Sequence, residues 1–226
     1  KRSDPATAWA YRKACELKQT GQIGNLRYLR VTMPDGDWGR NGFWDRIDTG
    51  EVPPEMDKDP VSSEVDRDQQ AAFGMFVNYY IHQVNLLRFL LGEPYQPIFG
   101  DRNGRLLVGE SESGITCTLE MAPYTTGRAW EESALIGFDH GYINLQLPAP
   151  LAMNQPGCAE LYVDHPEQPE EAARLQPTFE WEHAMLAQAR NFIKAVRGEA
   201  PPPCDHHDAL LDLEIAARYF KLLKTP

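Results

Sequence analysis

Residues 73–92, FGMFVNYYIHQVNLLRFLLG, are apolar on almost every side of a helical wheel, yet Asn78, His82 and Asn85 interrupt them at spacings of four and three. The length and period predict a helix built for burial, stopped by Gly92 and Pro94. A first helix is predicted near the start, with Ser3 or Asp4 to cap it, Pro5 in its first turn and Gly21 just past its end. The alternation of LRYLRVTM, residues 26–33, predicts a strand. From residue 96 the pattern changes to short β-type runs: QPIFGDR, RLLVGES, GITCTLEM, ESALIGF, GYINLQL, AELYVDH and TFEWEH. DRNG at 101–104 and DHG at 139–141 supply turn residues between neighbours. Little that is helical separates these runs, so the sheet they form is expected to be largely antiparallel. Two helices are predicted to close the chain, at 183–196 and 205–223. The expected fold is α+β, an open sheet with helices packed on one face.

Residues 34–70 break the pattern. This stretch is polar and rich in Asp, Pro and Gly, has no period, and carries Trp38 and Trp44. A loop of that length within a compact domain is usually functional or mobile. Its Trp38, Arg40 and Trp44 offer ring faces and hydrogen-bond donors of the kind that hold sugars. A surface loop or a subunit contact is the competing reading. With no repeat and no linker in 226 residues, the chain is expected to form one domain, 1–226, with this insertion inside it.

Composition narrows the partners. A net charge of −11 without clustered Lys or Arg argues against nucleic acid. The one long apolar segment carries Asn, His, Gln and Arg, which makes a membrane span costly. Four cysteines, Cys15, Cys117, Cys158 and Cys204, include no C-x-x-C pair and suit reduced thiols in a cytoplasmic protein. In CDHHDALLDLE, neighbouring side chains point about 100° apart, so His206 and His207 read as a helix start capped by Asp205 rather than as metal ligands. No metal is expected at His140 or His165 either.

The polar stripe is the strongest candidate for chemistry. A buried amide or imidazole without a partner costs on the order of 1–3 kcal/mol. Gly74, Asn78, His82 and Asn85 align on one side of the helix, so they are expected to face a polar cavity, with Gly74 leaving room for a ligand. His82 has the proton affinity for acid–base work near neutral pH.

Three stretches carry a resemblance: the opening KRSDPATAWAYRKACELKQTGQIGNLRYLRV, the His-bearing NYYIHQVNLLRFLLGEP, and QARNFIKAVRGEAPPPCDHHDALLDLEIAARYFKLL. In this order they resemble the C-terminal domain of the glucose–fructose oxidoreductase, inositol dehydrogenase and MocA family, over nearly the whole chain. The resemblance implies a domain that closes over a sugar or polyol while a Rossmann domain binds NAD or NADP. It implies His82 as acceptor of the hydroxyl proton, and an open sheet face that makes a homodimer or tetramer. Asn78 stands where the family carries Asp; an amide keeps the hydrogen bonds but not the negative charge. No G-x-G-x-x-G turn and no E-K-P lysine occur here, so these residues alone are expected not to bind a dinucleotide and to be inactive without the rest of a longer enzyme. The alternative is a non-catalytic sugar-binding or scaffold module that keeps the sheet.

Overall fold

The computed structural model describes residues 1–34, 47, 49–52, 54–56, 65–124 and 130–223. Helix α1 (Pro5–Thr20) starts where expected. Asp4 accepts hydrogen bonds at Oδ1 from the amides of Ala6 (2.9 Å) and Thr7 (3.2 Å), and Gly21, at φ 64°, closes the helix with its N–H on Leu17 O. Its buried face is small, with Ala6, Ala10 and Ala14 one turn apart, which lets the helix lie close on the sheet.

The strands are β1 (Leu26–Thr32), β2 (Tyr95–Gly100), β3 (Leu106–Ser111), β4 (Thr116–Glu120), β5 (Ser133–Phe138), β6 (Gly141–Gln146), β7 (Cys158–Val163) and β8 (Ala173–Leu175). They form one sheet in the order β2-β3-β4-β1-β5-β6-β7-β8. Every pairing is antiparallel except β1 with β4. The register explains the core. Leu29 sits between Cys117 and Ile136, and Val31 between Leu119 and Ala134, so alternate residues of three strands point to one face and are buried there. The α+β plan is as expected.

That face is covered by α1 against β6 and β7, by α2 (Gln70–Leu91) against β1 and β4, and by α4 (His206–Leu222) against β2. Gly100 in β2 is required by this contact: a Cβ there would stand 2.8 Å from the ring of Tyr219 on α4. Asp205 caps α4 with Asp208 reciprocating, so the CDHHD run is a helix start. Two features depart from expectation. Residues 178–183 form no strand; Phe179 meets Trp9 edge-on at 6.4 Å while Trp181 is 85% exposed, so the segment lacks a common buried face, and residues 173–175 pair with β7 instead. Helix α3 (Ala184–Val196) buries only Ala187 and leaves Met185, Phe192 and Val196 exposed, so it stands off the layer formed by the other helices. Among the described residues no helix is long and apolar enough to cross a membrane.

Helices α2 and α4 are joined by rings and by charge. Phe73 and Phe76 pack against Phe220 at 5.4 and 5.5 Å. Above them Arg88 donates from Nε to Asp212 Oδ1 (3.0 Å), from Nη1 to Asp208 Oδ1 (2.6 Å) and from Nη2 to Asp208 O (2.9 Å). Asp212 is buried, and burial raises its proton affinity while Arg88 opposes that rise. Removing one member of such a pair strands the other. Arg88→Met should therefore cost about 3–5 kcal/mol in urea unfolding. Arg88→Met/Asp212→Leu should cost clearly less than Arg88→Met alone, and equal losses would deny the pair its role.

Candidate functional site

The first four residues are the least conventional part of the site. Besides capping α1, buried Asp4 accepts at Oδ2 from Gly157 N (3.0 Å), which ties the start of the chain to the loop between β6 and β7. Residues 1–3 are thereby held beside the outer side of α2. Arg2 donates to Asn85 Oδ1 (2.8 Å) and Pro203 O (2.8 Å), and its guanidinium lies 4.8 Å from the Phe89 ring centre. A cleft of about 780 Å³ opens between this segment, α2, the 147–155 loop, α3 and the residues leading into α4.

Asn78, His82 and Asn85 all line this cleft, so the structure brings the predicted stripe together. The three differ in what holds them. Asn85 has both ends of its amide engaged, accepting from Arg2 and donating from Nδ2 to Asp212 Oδ2 (2.5 Å). Asn78 and His82 are exposed toward the cleft. Gly74 is also exposed, and a Cβ there would meet nothing within 4 Å, so the described residues give it no space-making role. Trp38, Arg40 and Trp44 lie outside the described residues.

His82 opens to solvent but stands in a concave wall where protein replaces much of the bulk water. Burial comes first in holding its proton affinity below the ordinary 6.5; the ammonium of Lys1 acts the same way, and Glu132 opposes it. A neutral imidazole carries an acceptor nitrogen that can take a proton, whereas an imidazolium cannot. The apolar part of the wall comes from Val77, Ile81, Pro148, Met185 and Phe192. The cleft thus offers proton-accepting and amide groups together with hydrocarbon, which suits a ligand with both hydroxyl and C–H faces.

Three residues of the cleft region escaped the sequence pattern. Lys1 places Nζ 2.6 Å from Glu132 Oε2, and Gln83 donates from Nε2 to Glu132 Oε1 at 2.8 Å. Gln83 follows His82 directly and falls off the stripe, while Glu132 read only as the start of a strand. Lys1 and Glu132 are 131 positions apart, so no local spacing signals their contact. Among the described residues no group of three or more His, Cys, Asp or Glu is arranged to hold a metal ion.

The fold has close counterparts among solved structures. The oxidoreductase domain protein from Kribbella flavida matches with TM-score 0.61 at 18% identity, over 98% of this chain and 62% of its own. Levoglucosan dehydrogenase in its apo form matches with TM-score 0.61 at 15% identity, over 98% and 62%. The aldose-aldose oxidoreductase from Caulobacter crescentus, solved with glycerol, matches with TM-score 0.58 at 16% identity, over 97% and 60%. The chain therefore spans about three fifths of the length of these structures. No family model matches the chain, and neither does any curated protein. At these identities the likeness is one of fold.

The depressed proton affinity of His82 has a sign that can be measured. Its contribution to stability is present above 6.5, the value of the free side chain, and is lost as pH falls through the lower folded value. His82→Gln should consequently flatten the decline of the thermal midpoint between about pH 7 and 5. An unchanged slope would mean that His82 titrates as it does in the unfolded chain.

Proposed function

We propose that this chain is the substrate-binding and catalytic portion of an NAD(P)-dependent oxidoreductase that acts on a hydroxyl of a sugar, polyol or related compound. The observation that carries the reading is His82: an imidazole whose proton affinity is lowered by its surroundings, open to a cleft, with Asn78 one helical turn away. The fold shared with levoglucosan dehydrogenase and aldose-aldose oxidoreductase supports it.

In this reading His82 takes the hydroxyl proton, Asn78 orients the hydroxyl through its amide, and the apolar wall covers the C–H face of the ligand and excludes water. Asn85, engaged with Arg2 and Asp212, keeps the wall of the cleft in place beside the substrate. Trp38, Arg40 and Trp44 are assigned to the substrate by their chemistry alone.

The described residues do not suit the dinucleotide. The parallel pair β1 and β4 is joined through α2, β2 and β3, and among the described residues no glycine-rich turn leads from a parallel strand into a helix N-terminus. The nucleotide is thus assigned to other residues of the whole protein.

Two copies are proposed to meet through the uncovered sheet face, where Tyr28, Leu135, Tyr142 and Tyr162 alternate with the buried residues of their strands. Light scattering on the natural polypeptide should give a dimer or tetramer, and Leu135→Lys should shift it toward the monomer. A monomer at micromolar concentration would reject this assignment.

One observation favours a second reading, a non-catalytic sugar-binding module: Asn78 supplies no negative charge to raise the basicity of its neighbour. Turnover separates the two. In the full-length polypeptide, His82→Ala should lower kcat by roughly 10²–10⁴, the usual loss with a general base. Near-normal turnover in that variant would remove His82 from the chemistry, and absence of turnover across a panel of sugars and polyols would favour the module.

A further inference from the structure

Glu132 is an expensive residue where it lies. Its side chain has no exposed surface, and it accepts from three donors: Lys1 Nζ at 2.6 Å, Gln83 Nε2 at 2.8 Å and Trp130 Nε1 at 3.2 Å. Lys1, Gln83 and Trp130 line the same cleft as His82 and Asn78, and Glu132 stands behind them. Gln83 is 1% exposed, and its own carbonyl Oε1 meets no donor among the described residues. Its amide is therefore turned to serve Glu132 while a buried acceptor goes unmatched, an arrangement that costs stability. A buried ion pair is also a poor way to hold a fold together, because apolar side chains of similar volume do as well or better. Both costs fall beside the proposed proton acceptor. Lys1 has a compensating asset: an ammonium has three donors, and Glu132 occupies one.

We propose that Lys1 contacts the ligand oxygen acted on at His82, and that Glu132 is the positioning residue that holds Lys1 there, fixed in turn by Gln83 and Trp130. This rests on the reading of His82 as the proton acceptor. The ammonium, 11% exposed along its side chain, supplies positive charge where an oxygen gains electron density as it loses its proton. The pair also names a ligand class. Among the described residues of the cleft, Lys1 is matched by Glu132, and Arg2 is committed to Asn85, Pro203 and Asp208, so neither of these two cations is left over for a phosphate or carboxylate. This described part of the cleft suits a neutral polyhydroxyl compound.

Among the described residues, the charged or titratable groups around the cleft besides His82 are Lys1, Arg2, Asp4, Tyr79, Glu132, Cys204 and Asp212, and α3 presents none to it. Lys1 and Glu132 are the ones that act on His82, in opposite directions. The experiment uses the full-length polypeptide and follows the ring protons of His82 by NMR against pH. The titration midpoint should rise in Lys1→Met and fall in Glu132→Gln. Should Lys1→Met fail to fold around an unpaired Glu132, Lys1→Met/Glu132→Gln removes both charges and should bring the midpoint between those of wild type and Lys1→Met. Turnover is the second readout: kcat should drop by about 10²–10³ in Lys1→Met with KM little changed, as when a donor to a developing oxyanion is lost. Lys1→Arg should recover part of the loss. A neutral sugar should compete with turnover more strongly than its phosphorylated form. If Lys1→Met keeps wild-type kcat while His82→Ala loses it, or if neither charge moves the His82 midpoint, the assignment of Lys1 falls. A polypeptide that turns over no sugar or polyol would instead reject the oxidoreductase reading, and the NMR titration would still decide whether Lys1 and Glu132 face His82.

Discussion

One buried carboxylate, Asp212, is the point where α2, α4 and the opening segment are tied together. It takes hydrogen bonds from Arg88 and Asn85, both on α2, while belonging to α4, and Asn85 in turn receives Arg2 from the opening segment. Burying that carboxylate is unfavourable unless its donors stay in place, so the arrangement is close to all-or-none. The consequence reaches the cleft. The face of α2 that carries His82 and Asn78 is oriented by the same helix that Asp212 fixes, and the segment that carries Lys1 is oriented by the Arg2 contact and the Asp4 cap. Structural charges and proposed functional groups are interleaved on one helix, at positions one turn apart.

Much of the fold was legible because the chain obeys local rules. The Asp4 cap, Pro5, the αL glycines at 21 and 92 and the alternation along β5 and through Leu29 and Val31 of β1 all act over a few residues. The failures are equally physical. TFEWEH alternates like a strand, but alternation cannot reveal whether a sheet edge is free, and β7 was already paired by a three-residue strand of no visible pattern. The stand-off of α3 was hidden for the opposite reason: an amphipathic helix advertises its apolar face without saying what covers it.

The candidate site was half legible. Asn78, His82 and Asn85 were found because polar groups on an apolar helix are conspicuous, and helical period put them on one side. The structure then separated them by engagement, with Asn85 tied into the α2–α4 network and the other two open. Lys1, Gln83 and Glu132 could not be found in that way, since a contact between the first residue and position 132 leaves no periodic trace.

The place of β1 in the sheet has a consequence for how the chain is made. This strand is central, with Tyr28 opposite Thr116 on one side and Gly137 on the other. On a ribosome it emerges before the other seven strands of this sheet, yet neither neighbour exists until most of the following hundred residues have been added. The β2–β3–β4 and β5–β6–β7 meanders can each close from adjacent sequence, whereas β1 must wait for both and then join them. Until then its Leu29 and Val31 remain exposed and its edges unpaired, so the strand at the centre of the finished sheet is also the nascent chain's most vulnerable one.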